Sequence, residues 1–318
     1  MDISIIIVNY HSSGMVIDCI NSIRAKTEHN TYEIIVVDNA SGDGSVELLR
    51  QTFPEITVIA SDVNLGFGKA NNLGAAQAQG KYLFLLNPDT VLVNDAIGIL
   101  YRYLEENPGV GVAGGNLYSP DMTPAPSFCR HFDDLALEKE RASWTALIGG
   151  KVRDKLGRNA AGKPLEEFNH TELPEKVADI FGADMMLPRT LFEQVGGFDP
   201  DFFMYAEEEE LTWRIHSLGY DVVCVPQANI IHLEGATVKQ RSEFSPRQFR
   251  MRMNGTLTYY KKRFGQDGAA EFYRLRSLRY DRLMKIAKLQ RKFRPDMVAA
   301  VQKTCLDEVY RDFNKGDT

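Results

Sequence analysis

The sequence lacks paired cysteines, long apolar runs and a basic leader. Its 4 cysteines are scattered and form no CxxC pair, which argues against a disulfide framework or a zinc knuckle and favours a reducing compartment. No uninterrupted apolar run approaches the roughly 18 residues that a membrane-spanning helix needs. Asp2 is followed at once by an apolar strand pattern, so we expect no signal peptide and a cytoplasmic protein.

The glycine motifs that commonly cradle phosphates are also missing. No GxxxxGK[ST] segment occurs, and Gly42 and Gly44 follow the second predicted strand, whereas a dinucleotide-binding fingerprint follows the first. NAD-dependent chemistry is therefore disfavoured. What remains is ordinary globular composition, with 318 residues of which 44% are hydrophobic and 25% charged. This length favours one large α/β domain with an appendage.

Charge is distributed unevenly along the chain. The formal net charge of −6 is the sum of −17 over residues 1–238, +13 over residues 239–294 and −2 over residues 295–318. Such asymmetry is typical of an acidic body joined to a basic segment that binds a polyanionic surface.

Short apolar runs alternate with helical patterns in the first hundred residues. This alternation predicts an α/β fold with a doubly wound, mostly parallel sheet. From Ser119 to Val177 the pattern gives way to Pro, Gly and charged residues, which we interpret as a variable insertion (119–177) within a domain of residues 1–238. Residues 239–318 are predicted to form a helical, basic C-terminal extension. The apolar runs are Ile3–Val8, Ile34–Val37, Thr57–Ala60 and Tyr82–Leu86.

Polar residues follow three of the four predicted strands. Asn9, then Asp38 and Asn39, then Asn87-Pro88-Asp89 come directly after the apolar runs. Ligands of open parallel sheets bind beyond the carboxyl ends of the strands. Each of these residues alone is explained equally well as a turn former or helix cap. Three such sites on one edge favour a ligand site.

Six short segments occur in a fixed order along residues 3–235. The second to fourth are rich in Asn, Asp and Gly, and the last ends in a run of acids. Together they resemble the family 2 glycosyltransferases, and most closely the rhamnosyltransferase-like branch of bacterial polysaccharide synthesis. The resemblance implies a GT-A fold, a nucleotide-sugar donor, Mg²⁺ or Mn²⁺, and inversion at the anomeric carbon. The segments are Val8-Asn9-Tyr10, 36–44, 64–72, 86–90, 195–199 and 202–210.

The resemblance also implies the residues that bind the nucleotide. Asp38 takes the position of the acid that accepts the N3–H of a uracil or thymine ring. The neighbouring positions hold base, ribose and phosphates, and Lys69 is explained equally well as a solvated helix residue. Gly182 and Ala183 match a small pair beside the donor sugar. The remaining predicted nucleotide-binding residues are Val8, Asn9, Asn39, Asn64, Asn87 and Pro88.

A cation site is implied at the fourth strand. Asn87-Pro88-Asp89 stands where the family carries its DxD motif, so Asp89 is the predicted carboxylate ligand. Mg²⁺ and Mn²⁺ prefer oxygen ligands and leave positions for phosphate oxygens. His232 matches a metal-binding histidine of the family, and its imidazole would offset the missing acid at Asn87. A bare Pro-Asp turn and a buried structural histidine are the alternatives.

The acidic run Glu207-Glu208-Glu209-Glu210 carries the predicted catalysis. Tyr205 to Leu211 fits the family pattern Tyr-x-Glu-Asp-x-Asp-Leu with both aspartates replaced by glutamate. Glu208 then stands at the position of the catalytic base, beside Glu207. A neighbouring carboxylate raises the pKa of a base, which suits proton abstraction from a sugar hydroxyl. Glu207 and Glu210 are the alternative bases.

The predicted function is an inverting sugar transfer. The donor is a pyrimidine nucleotide-sugar, dTDP-rhamnose or a UDP-hexose, and the acceptor is a hydroxyl of a glycan or lipid-linked glycan in cell-surface polysaccharide synthesis. The alternative is a non-catalytic relative that binds a nucleotide-sugar. The features that favour this alternative are Asn87, the two Asp-to-Glu changes and Asp184. Asp184 itself is open between a substrate contact and a pair with Arg189. A sugar-nucleotide pyrophosphorylase ranks lower, because no Gly-rich basic loop follows the first strand.

The basic segment 239–294 predicts a peripheral position at the inner face of the plasma membrane. Lys285, Lys288 and Arg291 fall on one side of a helical projection, and Leu283, Ile286 and Ala287 fall on the other. Each cation near an anionic leaflet contributes about 1 kcal/mol to binding. A helical cap that neutralises acidic residues and a homodimer interface are the alternatives. Nucleic acid is not an expected partner.

Overall fold

The computed structural model describes residues 1–147, 167–233, 244–289 and 293–315. The described chain divides into two compact units. Unit 1 contains residues 1–132, 167–203 and 207–233, and unit 2 contains residues 133–147, 204–206 and those after 243. Each unit is described by itself.

A mixed sheet forms the centre of unit 1, with nine strands among the described residues. The strand order is β3-β2-β1-β4-β10-β6-β11-β5, and β8 pairs with β11 as well. A separate ladder joins β7 and β9. The strands are β1 (Ile3–Asn9), β2 (Tyr32–Asp38), β3 (Thr57–Ala60), β4 (Tyr82–Leu86), β5 (Thr90–Leu92), β6 (Val110–Tyr118), β7 (Phe128–Cys129), β8 (Glu175–Val177), β9 (Asp179–Ile180), β10 (Asp184–Pro188) and β11 (Asp221–His232).

Strand direction explains how the site is placed. The strands β3, β2, β1 and β4 pair in parallel, as do β6 and β11, whereas β10 runs antiparallel between β4 and β6. Asn9 pairs with Asp38 at the carboxyl ends of β1 and β2. His232 at the end of β11 pairs with Thr90 at the start of β5. The polar strand ends therefore gather at one edge, as predicted.

Helices flank the sheet in unit 1 and make up most of unit 2. The predicted α/β class and the helical C-terminal region are confirmed. α8 is interrupted at Gly265, where φ is 74°. The helices are α1 (Ser13–Lys26), α2 (Ser45–Thr52), α3 (Phe67–Ala75), α4 (Ala96–Glu106), α5 (Leu135–Ala142), α6 (Arg189–Gln194), α7 (Glu207–Ser217), α8 (Pro246–Leu289) and α9 (Phe293–Lys315).

Alternation along β1 builds the core of unit 1. Ile5 and Ile7 pack in one hydrophobic cluster with α1 and α4, and Ile6 packs in a second cluster. Both faces are buried because side chains of a strand alternate and both faces of this sheet are covered. Asp95, and not the neighbouring Asn94, caps α4 by accepting the Gly98 N–H at 3.1 Å. Asn94 instead accepts from the backbone N–H of Asn229.

A buried ion pair lies at the centre of unit 2. Arg276 of α8 donates to both carboxylate oxygens of Glu138 of α5, at 2.8 and 2.6 Å, and the Glu138 side chain is fully buried. Tyr273 of α8 stacks on Tyr310 of α9 with 3.9 Å between the ring centroids. In the part of the chain that the structure describes, no helix is both long and apolar enough to cross a membrane.

Candidate active site

The carboxyl ends of β1 and β2 form a network of hydrogen bonds. Asn9 donates through Nδ2 to Asp38 Oδ1 at 2.6 Å, and the Ser41 N–H donates to Asp38 Oδ2 at 3.1 Å. Asn9 and Asp38 are buried polar residues, so these bonds compensate for their lost hydration. A carboxylate offers about four lone-pair sites. Asp38 therefore retains acceptor capacity for a further donor.

Asn39 ties the glycine-rich loop to β2. Its Nδ2 donates to Asn64 Oδ1 and to the Gly66 carbonyl, both at 3.1 Å, and its Oδ1 accepts the Leu65 N–H at 2.7 Å. Val8 pairs with Val37 in the adjoining ladder. The structure thus joins Asn9, Asp38, Asn39 and Asn64 in one network. Lys69 lies apart from it, half-buried in the first turn of α3.

Gly66 has no room for a side chain. A Cβ on Gly66 would lie 1.9 Å from the carbonyl oxygen of Phe203, and its φ is 80°. The same carbonyl accepts the Phe67 N–H at 3.0 Å. Glycine is therefore required here, because the backbone of the loop approaches Phe203 directly.

The Asn87-Pro88-Asp89 loop is held from two sides. The Asn87 N–H donates to the Ala183 carbonyl at 3.0 Å, and the Leu233 N–H donates to the Asp89 carbonyl at 2.8 Å. These bonds bring His232 Nε2 to 3.3 Å from Asp89 Oδ1, with both side chains less than one-fifth exposed. The two predicted metal-binding residues are therefore neighbours.

The donor set fits a divalent cation that shares its coordination with a ligand. Asp89 supplies a carboxylate oxygen and His232 an imidazole nitrogen, and the imidazole favours Mn²⁺ over the harder Mg²⁺. Among the described residues, no cluster of three or more His, Cys, Asp or Glu side chains could hold a metal alone. The remaining positions would then belong to phosphate oxygens and water, as is usual for such ions.

The four acids that begin α7 have different environments. Glu210 is buried and binds Arg214 through two hydrogen bonds, at 2.7 and 2.6 Å. Glu207 is also buried, its Oε2 has no hydrogen-bond partner, and burial together with neighbouring Glu208 raises the pKa of Glu207 well above its usual range. Glu208 and Glu209 are half-buried. They are less buried than Glu207 and Glu210, although the Oε2 atom of Glu208 is itself buried.

Gly182 lies against the predicted base. A Cβ on Gly182 would be 4.0 Å from the Glu208 Cβ and 3.1 Å from the Phe67 ring. Ala183, the next residue, binds Asn87. The small pair therefore connects the start of α7 to the loop that carries Asp89. This brings Glu208, Gly182, Ala183 and Asn87 into one region of unit 1.

Two residues of this region were missed in the sequence. Asp179 is buried, accepts a hydrogen bond from the Thr212 hydroxyl at 3.0 Å, and has its pKa raised well above the usual range by burial and by Glu208 and Glu209. An acid between Ala178 and Ile180, inside an apolar run, was the available signal. Arg214 was the second, and its distance of four residues from Glu210 was the signal.

The structure gives defined partners to Asp184, whose role the sequence left open, and to Arg189. Asp184 is fully buried, and its Oδ2 accepts the Gly115 N–H at 2.6 Å. It does not pair with Arg189, which donates to the Gly80 carbonyl and to Glu193. Hence the pairing alternative for Asp184 is wrong.

The sequence matches a known protein family over most of its first 200 residues. The model described as Glycosyl transferase family 2 matches residues 4–196, which is more than half of the chain. This chain belongs to glycosyl transferase family 2. The predicted family is thereby confirmed, and the comparisons extend to named relatives.

Three curated relatives illustrate the similarity. Rhamnosyltransferase WbbL of Escherichia coli (strain K12) is 26% identical over 267 residues, covering 81% of this chain and 92% of that protein. N-acetylglucosaminyl-diphospho-decaprenol L-rhamnosyltransferase of Mycobacterium tuberculosis is 27% identical, covering 63% and 66%. O-antigen biosynthesis protein RfbC of Myxococcus xanthus is 27% identical over 69% of this chain. The matched region covers 16% of the length of RfbC.

Solved structures confirm the GT-A fold. Mannosyltransferase PcManGT from Pyrobaculum calidifontis, in complex with GDP-Man and Mn²⁺, superposes with a TM-score of 0.57 at 14% identity, over 98% of this chain and 86% of that one. GalNAc-T7 with UDP, GalNAc and Mn²⁺ gives a TM-score of 0.56 at 14% identity, over 73% and 44%. At such identity the likeness extends to the fold alone.

Proposed function

We propose that this chain is an inverting glycosyltransferase of cell-surface polysaccharide synthesis. Its donor is a pyrimidine nucleotide-sugar, dTDP-rhamnose or a UDP-hexose, and its acceptor is a hydroxyl of a glycan or lipid-linked glycan. Family membership and the two relatives named as rhamnosyltransferases support this assignment. The observation that carries it is the position of half-buried Glu208 against Gly182, whose neighbour Ala183 binds the Asn87-Pro88-Asp89 loop.

Glu208 is the proposed general base. Among the four acids of α7, Glu210 is held by Arg214 and Glu207 is buried, so neither presents its carboxylate to an acceptor hydroxyl as openly as Glu208 does. Glu208 takes the proton of the acceptor hydroxyl while the oxygen of that hydroxyl attacks the anomeric carbon. The bond from that carbon to the diphosphate oxygen breaks on the opposite face, and the electron pair leaves with the diphosphate.

The leaving group needs charge stabilisation more than a proton. Asp89 and His232 are the residues that would hold a divalent cation, and such a cation, when bound, neutralises the charge that develops on the diphosphate. Manganese in two structures of similar fold supports this use of a metal. No separate general acid is required.

Nucleotide recognition is assigned to the network at β1 and β2. Asp38 accepts the N3–H of the pyrimidine ring with the lone pairs that Asn9 and Ser41 leave available. Asn39 and Asn64 hold the loop that closes over ribose and phosphates. This network explains a preference for uracil or thymine, whose N3–H is a donor.

The proposal is tested by donor turnover and donor binding in the same variants. We expect Glu208→Gln to bind the nucleotide-sugar normally while the release of UDP or dTDP falls by about 10²–10⁴-fold. Glu209→Gln is the matched control and is expected to retain most activity. If Glu208→Gln turned the donor over normally and Glu207→Gln were inactive, the base would be Glu207.

A non-catalytic relative is the second candidate. It is favoured by Asn87 at the position where the family carries an acid. A thermal-shift screen of dTDP- and UDP-sugars with Mn²⁺ identifies the bound donor, because a ligand selective for the folded state raises the melting temperature. A donor that stabilises the intact protein but is never turned over, with any glycan acceptor supplied, would establish this second candidate.

A further inference from the structure

Unit 2 exposes apolar side chains where α9 begins. Met297, Val298 and Val301 are 53%, 41% and 39% exposed, although Ala299 between them is buried. Trp144, which follows α5, is 40% exposed. An exposed cluster of large apolar side chains on a soluble surface marks a docking site more often than a chance arrangement.

One cation of α8 lies against Trp144, and two more follow it along the same helix. The guanidinium of Arg282 stacks on the Trp144 ring at 5.2 Å and donates to the Ala142 carbonyl at 2.6 Å. Lys285 and Lys288, one and two turns further along α8, are exposed, whereas Ile286 and Ala287 are buried. In the sequence, residues 282–295 contain six Lys or Arg and no Asp or Glu.

The packing of α8 on α9 brings the two groups together. Asp281 of α8 pairs with Lys303 of α9 at 2.5 Å, and Tyr273 donates to Asp307 at 2.9 Å. Lower residue numbers on α8 thus meet higher residue numbers on α9, so the two helices are antiparallel. The start of α9 with Val301 therefore lies alongside the end of α8 with Lys285.

Other cations of α8 have structural partners in unit 2. Arg276 is paired with buried Glu138, Arg250 with Glu308, and Arg263 donates to the Asp133 carbonyl. The predicted helical cap, in which basic residues neutralise acids, thus describes this part of α8. It does not describe the end of the helix, where Lys285 and Lys288 are exposed and the start of α9 runs alongside.

We propose that Trp144, Met297, Val298 and Val301, with Arg282, Lys285 and Lys288, form a surface that docks on an anionic lipid bilayer. We call it the tip surface. Its apolar side chains enter the headgroup region while its cations meet lipid phosphates, which is how amphipathic segments bind membranes. Charge complementarity selects the occupant. A second copy of the chain would oppose lysine to lysine across a two-fold axis, which is unfavourable.

The first experiment is sedimentation of the full chain with vesicles. We expect binding to phosphatidylcholine vesicles that contain phosphatidylglycerol, weaker binding at high salt, and little binding to phosphatidylcholine alone. Each cation lost lowers the affinity about fivefold, so Lys285→Glu/Lys288→Glu is expected to lower it at least about 25-fold. Lys26→Glu/Arg50→Glu changes the net charge equally on exposed residues of α1 and α2, and serves as the control.

The apolar half of the tip surface is tested separately. Met297→Ser/Val301→Ser is expected to weaken vesicle binding at every salt concentration. The control Leu48→Ser/Leu173→Ser replaces apolar residues of unit 1 that are 44% and 73% exposed, and is expected not to weaken it. The chain has two tryptophans, so Trp213→Phe leaves Trp144 as the sole tryptophan. Its emission is expected to shift to the blue on anionic vesicles and to be quenched by brominated lipid.

Several results would overturn the tip surface. One is anionic-vesicle binding that both tip variants leave unchanged, and another is Trp144 emission that ignores vesicles. A third is sedimentation equilibrium that shows a dimer dispersed by Lys285→Glu/Lys288→Glu, with no vesicle binding by the intact chain. None of these readouts depends on sugar transfer, so the docking proposal is judged independently of the enzymatic one.

Discussion

Arg214 holds Glu210 in a two-pronged ion pair, with Nε donating to Oε1 at 2.7 Å and Nη2 to Oε2 at 2.6 Å. The same guanidinium donates to the carbonyls of Val195 and Gly197. One side chain therefore fixes the start of α7 against the Gly196-Gly197 turn. Because planar guanidinium matches a carboxylate in this geometry, lysine would not replace it.

Loss of this guanidinium is expected to destabilise the fold. Arg214→Ala leaves buried Glu210 without its partner, and we expect the free energy of unfolding to fall by about 3 kcal/mol, measured by urea denaturation. Arg102→Ala breaks an exposed pair with Asp95 and is expected to cost about 1 kcal/mol or less. Equal losses in the two variants would contradict the structural role of Arg214.

The family pattern explains why much of the site was predictable. The strands β1, β2 and β4 are short apolar runs with polar ends, and parallel strands gather such ends at one edge. Only the resemblance pairs Asp89 with His232, which follows it by 143 positions, and the structure places His232 Nε2 3.3 Å from Asp89 Oδ1. Nothing in the local sequence of either residue specifies that distance.

Removal of either residue of the proposed cation site is expected to change the metal dependence of nucleotide binding selectively. We predict that Asp89→Ala abolishes the gain in UDP or dTDP affinity that Mn²⁺ provides, and that His232→Ala reduces it, since each supplies one of the two protein donors. Calorimetric titrations with and without Mn²⁺ measure the gain. If Asp89→Ala retained the full gain, the cation would bind elsewhere.

Loss of Asp38 is expected to act on the base and not on the phosphates. A hydrogen bond to a charged acceptor contributes about 1.5–3 kcal/mol, so Asp38→Ala should weaken nucleotide binding about 10- to 100-fold. The factor should be the same with and without Mn²⁺. Ser41→Ala removes only a neighbouring hydroxyl from the same network and is the control. Thermal melts confirm that both variants fold.

Burial explains what the sequence could not predict. The four consecutive glutamates of α7 are chemically identical in the sequence, and only packing makes Glu210 an ion-pair partner and Glu207 a buried acid. Asp179 becomes part of the same region because β9 places it beside α7, at Thr212. These distinctions depend on tertiary contacts, which local pattern does not encode.

Asp184 lowers the free energy of unfolding by an amount that depends on pH. Burial raises its pKa to about 8, and the hydrogen bond from the Gly115 N–H to its Oδ2 offsets this only in part, because its Oδ1 has no hydrogen-bond partner. In the unfolded chain an aspartate ionises near pH 4. Between these two pH values the folded protein retains a proton that the unfolded chain releases. This acid therefore lowers stability as the pH rises from about 4 to about 8.

Substitution of Asp184 is expected to remove that pH dependence. Between pH 4 and pH 7 the parent chain should lose about 4 kcal/mol of stability relative to Asp184→Asn, because each pH unit contributes about 1.4 kcal/mol. Urea denaturation across this range measures it. Asp2→Asn is the control, since hydrogen bonds from the Thr31 N–H and hydroxyl lower the pKa of Asp2. Its contribution therefore changes mainly below about pH 4, and the stability difference for Asp2→Asn should stay nearly constant from pH 4 to pH 7. A difference for Asp184→Asn that stays constant with pH would mean that Asp184 is ionised in the folded protein.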